Sequence, residues 1–74
     1  MKNNDTKTWF GDVPQACDIC GLEITTEFID GRTDFRGMWG CMCLDCHKQH
    51  GVGLGTGRGQ KYHLQNDKFV KVDG

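Results

Sequence analysis

The chain has 74 residues, a formal net charge of −1 and an apolar content of 36 %. This length fits one domain, and so small a domain often needs a metal, disulfides or a partner in order to fold. The sequence has no apolar run near the roughly 20 residues of a membrane span and no secretory signal at its start. We therefore expect a cytoplasmic protein, in a compartment where reduced thiols favour metal binding over disulfides.

Residues 1–13 form a mostly polar leader that we expect to be disordered or loosely packed. Two adjacent aromatic residues, Trp9 and Phe10, interrupt it. We expect one of them to fold back over the small core, and an exposed docking motif for a partner is the alternative. The remaining residues, 14–74, are predicted to form a single domain.

Two Cys-x-x-Cys pairs begin this domain, with 22 residues between the pairs. Two residues between thiolates let both sulfurs face one point, and two such pairs make a tetrahedral cage that suits zinc. Such a site is closed to water, so we expect one structural Zn²⁺ and no catalytic metal. The predicted ligands are Cys17, Cys20, Cys43 and Cys46.

The first pair, in Cys17–Gly21, is predicted to lie on a knuckle, where Gly21 supplies the positive φ of the turn. Ile24–Ile29 is rich in β-branched residues and is predicted to be a strand. Asp30-Gly31 is predicted to be a two-residue hairpin turn, with Arg32–Arg36 as the return strand. The expected core aromatic residues are Phe28, Phe35 and Trp39, and stacking on a base or a partner is the alternative for Trp39.

The second pair opens a predicted short helix over Cys43–His50, with Cys46 near its first turn. The helix dipole favours thiolates at this end, and Gly51 is a suitable stop. His47 stands where a second knuckle would need glycine, which favours the order knuckle, hairpin, helix.

Glycine occupies every odd position from 51 to 59. The P-loop and dinucleotide motifs both need glycines five apart, and an odd offset cannot occur between odd positions, so both are excluded. We predict an extended run whose glycines bare the backbone for close approach to a partner. A flexible loop that wraps the helix is the alternative. The candidate contact positions are Gly53, Gly55 and Gly57.

The C-terminal third is predicted to be a hairpin of Lys61–Gln65 and Lys68–Val72 around an Asn66-Asp67 turn. Residues 1–46 contain four basic and eight acidic residues, whereas residues 47–74 contain five basic and two acidic ones. An anionic partner would therefore meet the C-terminal third, although a mixed solvated surface explains the charges equally well. The basic candidates are Arg58, Lys61, Lys68 and Lys71.

Three further residues could replace one of the four ligands, and the sequence leaves this open: Cys41, His47 and His50. Cys41 would form a tight Cys-x-Cys pair with Cys43, so we expect it to be a small buried thiol or a spare. The segment Cys43–His47 also matches the haem-attachment pattern Cys-x-x-Cys-His. The lack of an export signal argues against haem, and a thioredoxin-like role is disfavoured because neither pair lies in a βαβ unit.

The order of elements over residues 15–51 resembles a treble-clef zinc finger, with a zinc ribbon as the alternative. The resemblance predicts a small α+β domain, a treble-clef-like finger followed by a C-terminal hairpin. Within it, Cys43–His50 resembles the C-terminal half of HNH endonucleases that carry a structural zinc. Those enzymes have an Asp-His element on the hairpin. This hairpin offers Asp30 and Asp34, but no histidine precedes residue 47. The general base is missing, so we expect no enzyme. A degenerate HNH-like nuclease is the third function considered, after nucleic-acid binding and protein binding.

Several motifs together resemble small zinc-binding proteins of bacteriophages and prophages: Cys17–Gly21, Phe28–Gly31, Met42–Lys48 and Gly51–Tyr62. The resemblance implies an accessory protein in the host cytoplasm and brings no known activity. We therefore expect a non-enzymatic, zinc-stabilised module that binds nucleic acid through its basic C-terminal third. A protein adaptor, or a modulator of a host or phage enzyme, is the alternative. Neither a membrane nor a small-molecule substrate is expected.

Overall fold

The structure is a computed structural model that describes residues 8–9 and 11–74. Over these residues the chain forms β1 (Glu27–Arg32), β2 (Trp39–Met42), α1 (Leu44–His50), β3 (Gly59–Gln65) and β4 (Lys68–Asp73). The strands make one antiparallel sheet in the order β2-β1-β3-β4. This small α+β architecture agrees with the sequence prediction. None of the helical structure in residues 8–9 and 11–74 is long and apolar enough to cross a membrane.

The first hairpin joins β1 and β2, but its turn lies later than predicted. Asp30 and Gly31 lie inside β1, where both pair with residues of β2. The turn occupies residues 34–37, and Thr33 closes its neck. Both the hydroxyl (2.9 Å) and the backbone N–H (2.8 Å) of Thr33 donate to the Met38 carbonyl. The predicted Asp-Gly turn is therefore wrong.

A close strand contact explains why Gly31 stays in the sheet. Gly31 pairs with Gly59 of β3. A Cβ atom added to Gly31 would lie 3.2 Å from Gly59 Cα and 3.0 Å from the Arg58 carbonyl oxygen. The glycine therefore serves the approach of two strands, and residues 36–37 supply the positive φ angles of the real turn.

The sheet separates two packed clusters. Ile29 and Met42 project toward the helix, where they pack with Cys17 and Cys46. The opposite face holds an aromatic cluster with ring centroids 5.1–5.3 Å apart, made of Trp9, Phe28, Tyr62 and Phe69. Phe28 is fully buried at its centre.

The prediction that a leader aromatic covers the core is confirmed for Trp9. Its ring packs edge-on against Phe28, and its backbone N–H donates to the Phe69 carbonyl (2.8 Å). Phe10 lies outside the described residues, as do residues 1–7, so the leader prediction stays a prediction there.

Of the three expected core aromatics, Phe28 is confirmed and the other two are wrong. Phe35 is 45 % exposed because it lies in the displaced turn, and Trp39 is 48 % exposed because it starts the edge strand β2. Edge positions lack a neighbouring strand to cover them.

The predicted helix and C-terminal hairpin are both present. Asn66 and Asp67 both have positive φ, 51° and 68°, as a two-residue hairpin turn requires. The helix stops at Gly51 as predicted, but Gly51 has an extended φ of −76° and makes no left-handed cap. Glycine is needed there because an added Cβ would lie 2.6 Å from the His47 carbonyl oxygen.

Candidate metal centre

Four cysteine thiols converge between the knuckle and the start of α1. Their sulfur atoms all lie within 4.8 Å of one another, and the members are Cys17, Cys20, Cys43 and Cys46. The Cys20 and Cys43 sulfurs are 3.8 Å apart. Metal–sulfur bonds of about 2.3 Å in a tetrahedron separate the sulfurs by about 3.8 Å. The cluster could therefore hold one metal ion, and it consists of the four cysteines that the sequence predicts.

The knuckle places the first pair through its backbone. The Cys17 carbonyl accepts from the Gly21 N–H (2.9 Å), and the Cys17 N–H donates to the Leu22 carbonyl (2.8 Å). Gly21 has a φ of 77°, as predicted for this turn. The Ile19 N–H points at the Cys17 sulfur, 3.4 Å away. Amide groups directed at a sulfur favour its thiolate form.

The helix places the second pair. Cys43 is the N-cap residue and Cys46 lies in the first turn, with the His47 N–H donating to the Cys43 carbonyl (3.0 Å). Both sulfurs therefore lie at the positive end of the helix dipole, which stabilises anions. Cys43 makes no side-chain cap bond, so its thiol remains available as a ligand.

The thiols are too close to ionise together without a cation. Burial would raise the pKa of Cys17, but backbone N–H groups of the knuckle and helix and the Cys46 thiol lower it to about 6. Burial and the neighbouring thiols raise the pKa of Cys46 well above its ordinary value. A metal cation compensates several thiolates at once, so this donor set fits a metal.

Cys41 stands apart from the cluster, on the other face of the sheet beside Asp30. Its sulfur lies 4.0 Å from the Asp30 carboxylate, and the thiol is half-buried. Burial, with the Asp30 and Asp18 carboxylates, raises the pKa of Cys41 to about 12. This environment agrees with a spare thiol and gives Cys41 no place among the clustered ligands.

The two helix histidines bind other parts of the chain. His47 Nε2 contacts the Gly53 carbonyl (3.1 Å), so it holds the glycine-rich loop. His50 Nδ1 lies 3.3 Å from the Asp34 carboxylate, and its ring packs against Phe35. Neither histidine is among the clustered ligand atoms. The pair of His50 and Asp34 fastens the first hairpin turn to the end of the helix.

The glycine run folds into a compact loop. Gly53, Gly55 and Gly57 have φ angles of 102°, 122° and 78°. The Gly55 N–H donates to the Gly59 carbonyl (2.7 Å), and the Gly59 N–H donates back to the Gly55 carbonyl (2.9 Å). The predicted extended run is therefore wrong, because alternating left-handed residues bend the backbone. Of the alternative, a flexible loop that wraps the helix, the structure shows one contact, between His47 of the helix and the Gly53 carbonyl.

The basic candidates do not gather on one face. Lys61 pairs with Ile29 on the helix side and lies 3.7 Å from the Glu27 carboxylate. Lys71 pairs with Tyr62 on the opposite side of the sheet. Lys68 pairs with Gln65 at the far end of β3 from Arg58, which precedes that strand. The charge excess read from the sequence is thus spread over both faces of the hairpin.

A cavity beside β2 is the feature that sequence reasoning missed. It has a volume of about 300 Å³, and its lining includes Ile19, Phe35, Met38 and Trp39. Phe35, Met38 and Trp39 are 45 %, 65 % and 48 % exposed. We call it the β2 cavity. The short spacing of these apolar residues is a usable signal, but the sequence prediction places Phe35 and Trp39 in the core and assigns no role to Met38.

Comparisons with protein-family models, curated proteins and solved structures found no match for this chain. The family resemblances inferred from motifs therefore stay hypotheses. The arrangement of the four cysteines is the observation that carries the functional argument.

Proposed function

We propose that this chain is a non-enzymatic binding module held together by one structural Zn²⁺. The observation that carries the proposal is the convergence of four thiols within 4.8 Å. Tetrahedral four-sulfur sites are typical of zinc or iron, and closed four-cysteine zinc sites are structural. We interpret the order of knuckle, β1–β2 hairpin and α1 as a treble-clef-like finger. A phage-type accessory role in the host cytoplasm is retained as a hypothesis.

The small core supports a structural metal. In residues 8–9 and 11–74, the buried apolar residues are Cys17, Phe28, Ile29, Met42, Cys46 and Phe69. Two of these six belong to the cysteine cluster. A core of this size rarely supplies more than about 3–5 kcal/mol, whereas structural zinc typically contributes about 10–16 kcal/mol in finger peptides. Without metal, the four adjacent thiols would also repel as they ionise.

Metal removal tests the proposal. We expect a strong chelator to release one zinc per chain and to collapse the dispersed amide NMR spectrum. Cys46→Ser should act like the chelator, while Cys41→Ser, at a position outside the cluster, should retain one zinc. A chain that keeps its dispersed spectrum with no bound metal would overturn the proposal.

For the partner, the distribution of exposed groups favours a protein over nucleic acid. The basic residues are divided between two faces, and Lys61 lies next to Glu27. Three of the exposed apolar side chains, by contrast, lie together around the β2 cavity: Phe35, Met38 and Trp39. Nucleic-acid binding through the C-terminal third stays a testable alternative. A steep salt dependence of binding to random oligonucleotides would support it.

A further inference from the structure

We propose that the β2 cavity binds a short segment of a partner protein in which a large apolar side chain stands next to Lys or Arg. The inference rests on the proposed function, because the metal-binding knuckle supplies Asp18 and Ile19 to the cavity wall. The first hairpin supplies the rest of the wall, from Thr33 to Met42.

The cavity offers apolar surface that the fold leaves uncovered. Phe35 comes from the turn, Met38 directly follows the turn, and Trp39 comes from the first position of β2. A volume of about 300 Å³ is at the lower end for ligand cavities, so it suits one large side chain. Met38 is 65 % exposed, and methionine adapts well to apolar partners.

The walls are held in place before a partner arrives. Trp39 Nε1 donates to the Asp30 carboxylate at 2.6 Å, which fixes the indole. The two bonds from Thr33 to the Met38 carbonyl fix the neck of the turn. A preformed site loses less conformational entropy when it binds.

The charge beside the cavity selects a cationic neighbour. In residues 8–9 and 11–74, neither Asp18 nor Asp30 forms an ion pair with Lys or Arg. A zinc ion with four thiolates adds a net charge of −2 close behind the knuckle. The cations of this hairpin, Arg32 and Arg36, are exposed near the turn end. A bound segment should therefore place its Lys or Arg at the Asp18 end.

The geometry fits a segment better than a second copy of the chain. The backbone groups of Cys41 that face outward from β2 already bond to Asp18, at 2.8 Å and 2.9 Å. A second β2 therefore cannot pair along this edge. Three exposed side chains are also few for a standard interface, which buries about 800 Å² per partner.

Parallel selections from a random peptide library test the inference. Immobilised zinc-loaded wild type and Met38→Ser are each panned with displayed peptides of the same library. We expect wild type alone to enrich peptides with Leu, Ile, Met or Phe next to Lys or Arg. Calorimetry on one selected peptide should show at least about a tenfold loss of affinity in Met38→Ser.

Two further variants separate charge from surface chemistry. Asp18→Asn keeps an acceptor for the Cys41 N–H, and it should weaken binding about three- to tenfold and flatten its salt dependence. Val72→Ser is the control for Met38→Ser. It removes an exposed apolar side chain (48 % exposed) that lies on β4, away from the cavity, and it should leave the affinity for the peptide unchanged.

The remaining outcomes overturn the inference. One such outcome is that wild type enriches no peptides. Another is that wild type and Met38→Ser enrich the same peptides. If sedimentation shows self-association that Met38→Ser abolishes, the occupant of the cavity is a second copy of the chain. If the protein binds oligonucleotides and Met38→Ser loses that binding, the occupant is nucleic acid. Zinc content is measured in every sample. A zinc-loaded protein without peptide binding contradicts this inference alone, whereas folded wild type without zinc contradicts the proposed function.

Discussion

Asp18 holds the outer edge of β2 at Cys41 through two hydrogen bonds: its backbone N–H donates to the Cys41 carbonyl (2.8 Å), and its carboxylate accepts from the Cys41 N–H (2.9 Å). Asp18 lies between the first two cysteines of the cluster, and Cys41 lies two residues before the third. The contact therefore joins the two halves of the cysteine cluster. Gly40 leaves room for it, because an added Cβ would lie 3.0 Å from the Asp18 carboxylate.

Asp18→Ala should lower the free energy of unfolding by about 0.5–1.5 kcal/mol, because it removes the acceptor for one edge N–H. Asp18→Asn retains an oxygen in the same place and should cost much less. Denaturant titration of the zinc-loaded proteins measures both. Equal losses in the two variants would show that the side-chain hydrogen bond does not stabilise the centre.

Gly31→Ala should lower the free energy of unfolding by about 1–3 kcal/mol, since overpacking forces neighbouring backbone to shift. The added Cβ would meet the Arg58 carbonyl oxygen at 3.0 Å and Gly59 Cα at 3.2 Å. Arg32→Ala, at the next and exposed position of β1, serves as the control. Thermal denaturation compares them, and an unchanged Gly31→Ala midpoint would contradict the close strand contact.

The stability of wild type relative to Asp30→Asn should depend on pH. Burial raises the pKa of Asp30, the hydrogen bond from Trp39 opposes this, and the Asp18 carboxylate adds to it. Because the pKa of Asp30 is higher in the folded state than in the unfolded state, folding favours the protonated carboxyl. The stability that Asp30 contributes in this form is lost as pH rises through its folded-state pKa. At pH 7, Asp30→Asn avoids the cost of burying the charge and should be at least as stable as wild type.

As pH falls through the folded-state pKa of Asp30, the free energy of unfolding of wild type should rise relative to that of Asp30→Asn, until the two proteins are equally stable. Denaturant titrations at several pH values where zinc content stays constant measure this. A difference that widens toward acid pH would contradict the raised pKa.

Gly55→Ala should lower the free energy of unfolding by about 1 kcal/mol or more, because its φ of 122° disfavours any side chain. Its Cβ would also lie 3.0 Å from an Arg58 guanidinium nitrogen. Arg58→Ala, which removes this guanidinium and leaves Gly55 in place, should change the free energy of unfolding little. Both variants should keep their zinc. A Gly55→Ala protein as stable as wild type would contradict the positive φ of Gly55 and support an extended conformation of residues 51–59.

The features that the sequence predicts well depend on local signals. The spacing of two Cys-x-x-Cys pairs reports directly on sulfur geometry, and the Asn66-Asp67 pair carries its own turn preference. Asp30-Gly31 carries a similar local preference, yet it lies in a strand because Gly59 packs against Gly31 from far along the chain. Single-sequence reasoning cannot supply that contact.

A candidate partner surface is harder to predict because it depends on sheet topology. Lys61 and Lys71 belong to one basic segment of the sequence, but strand alternation and register place them on opposite faces. From the sequence we expect Phe35 and Trp39 in the core, since aromatic side chains beside a metal site in so small a domain favour core packing. Their exposure follows from the displaced turn and from the edge position of β2, neither of which is a property of the residues themselves.

Zinc K-edge X-ray absorption on the purified chain, with the metal-to-protein ratio, is the decisive measurement for the metal centre. We predict one zinc per chain and a single shell of four sulfur atoms at about 2.3 Å. Folded protein without stoichiometric zinc, or a shell that contains nitrogen from His47 or His50, would contradict the four-cysteine centre.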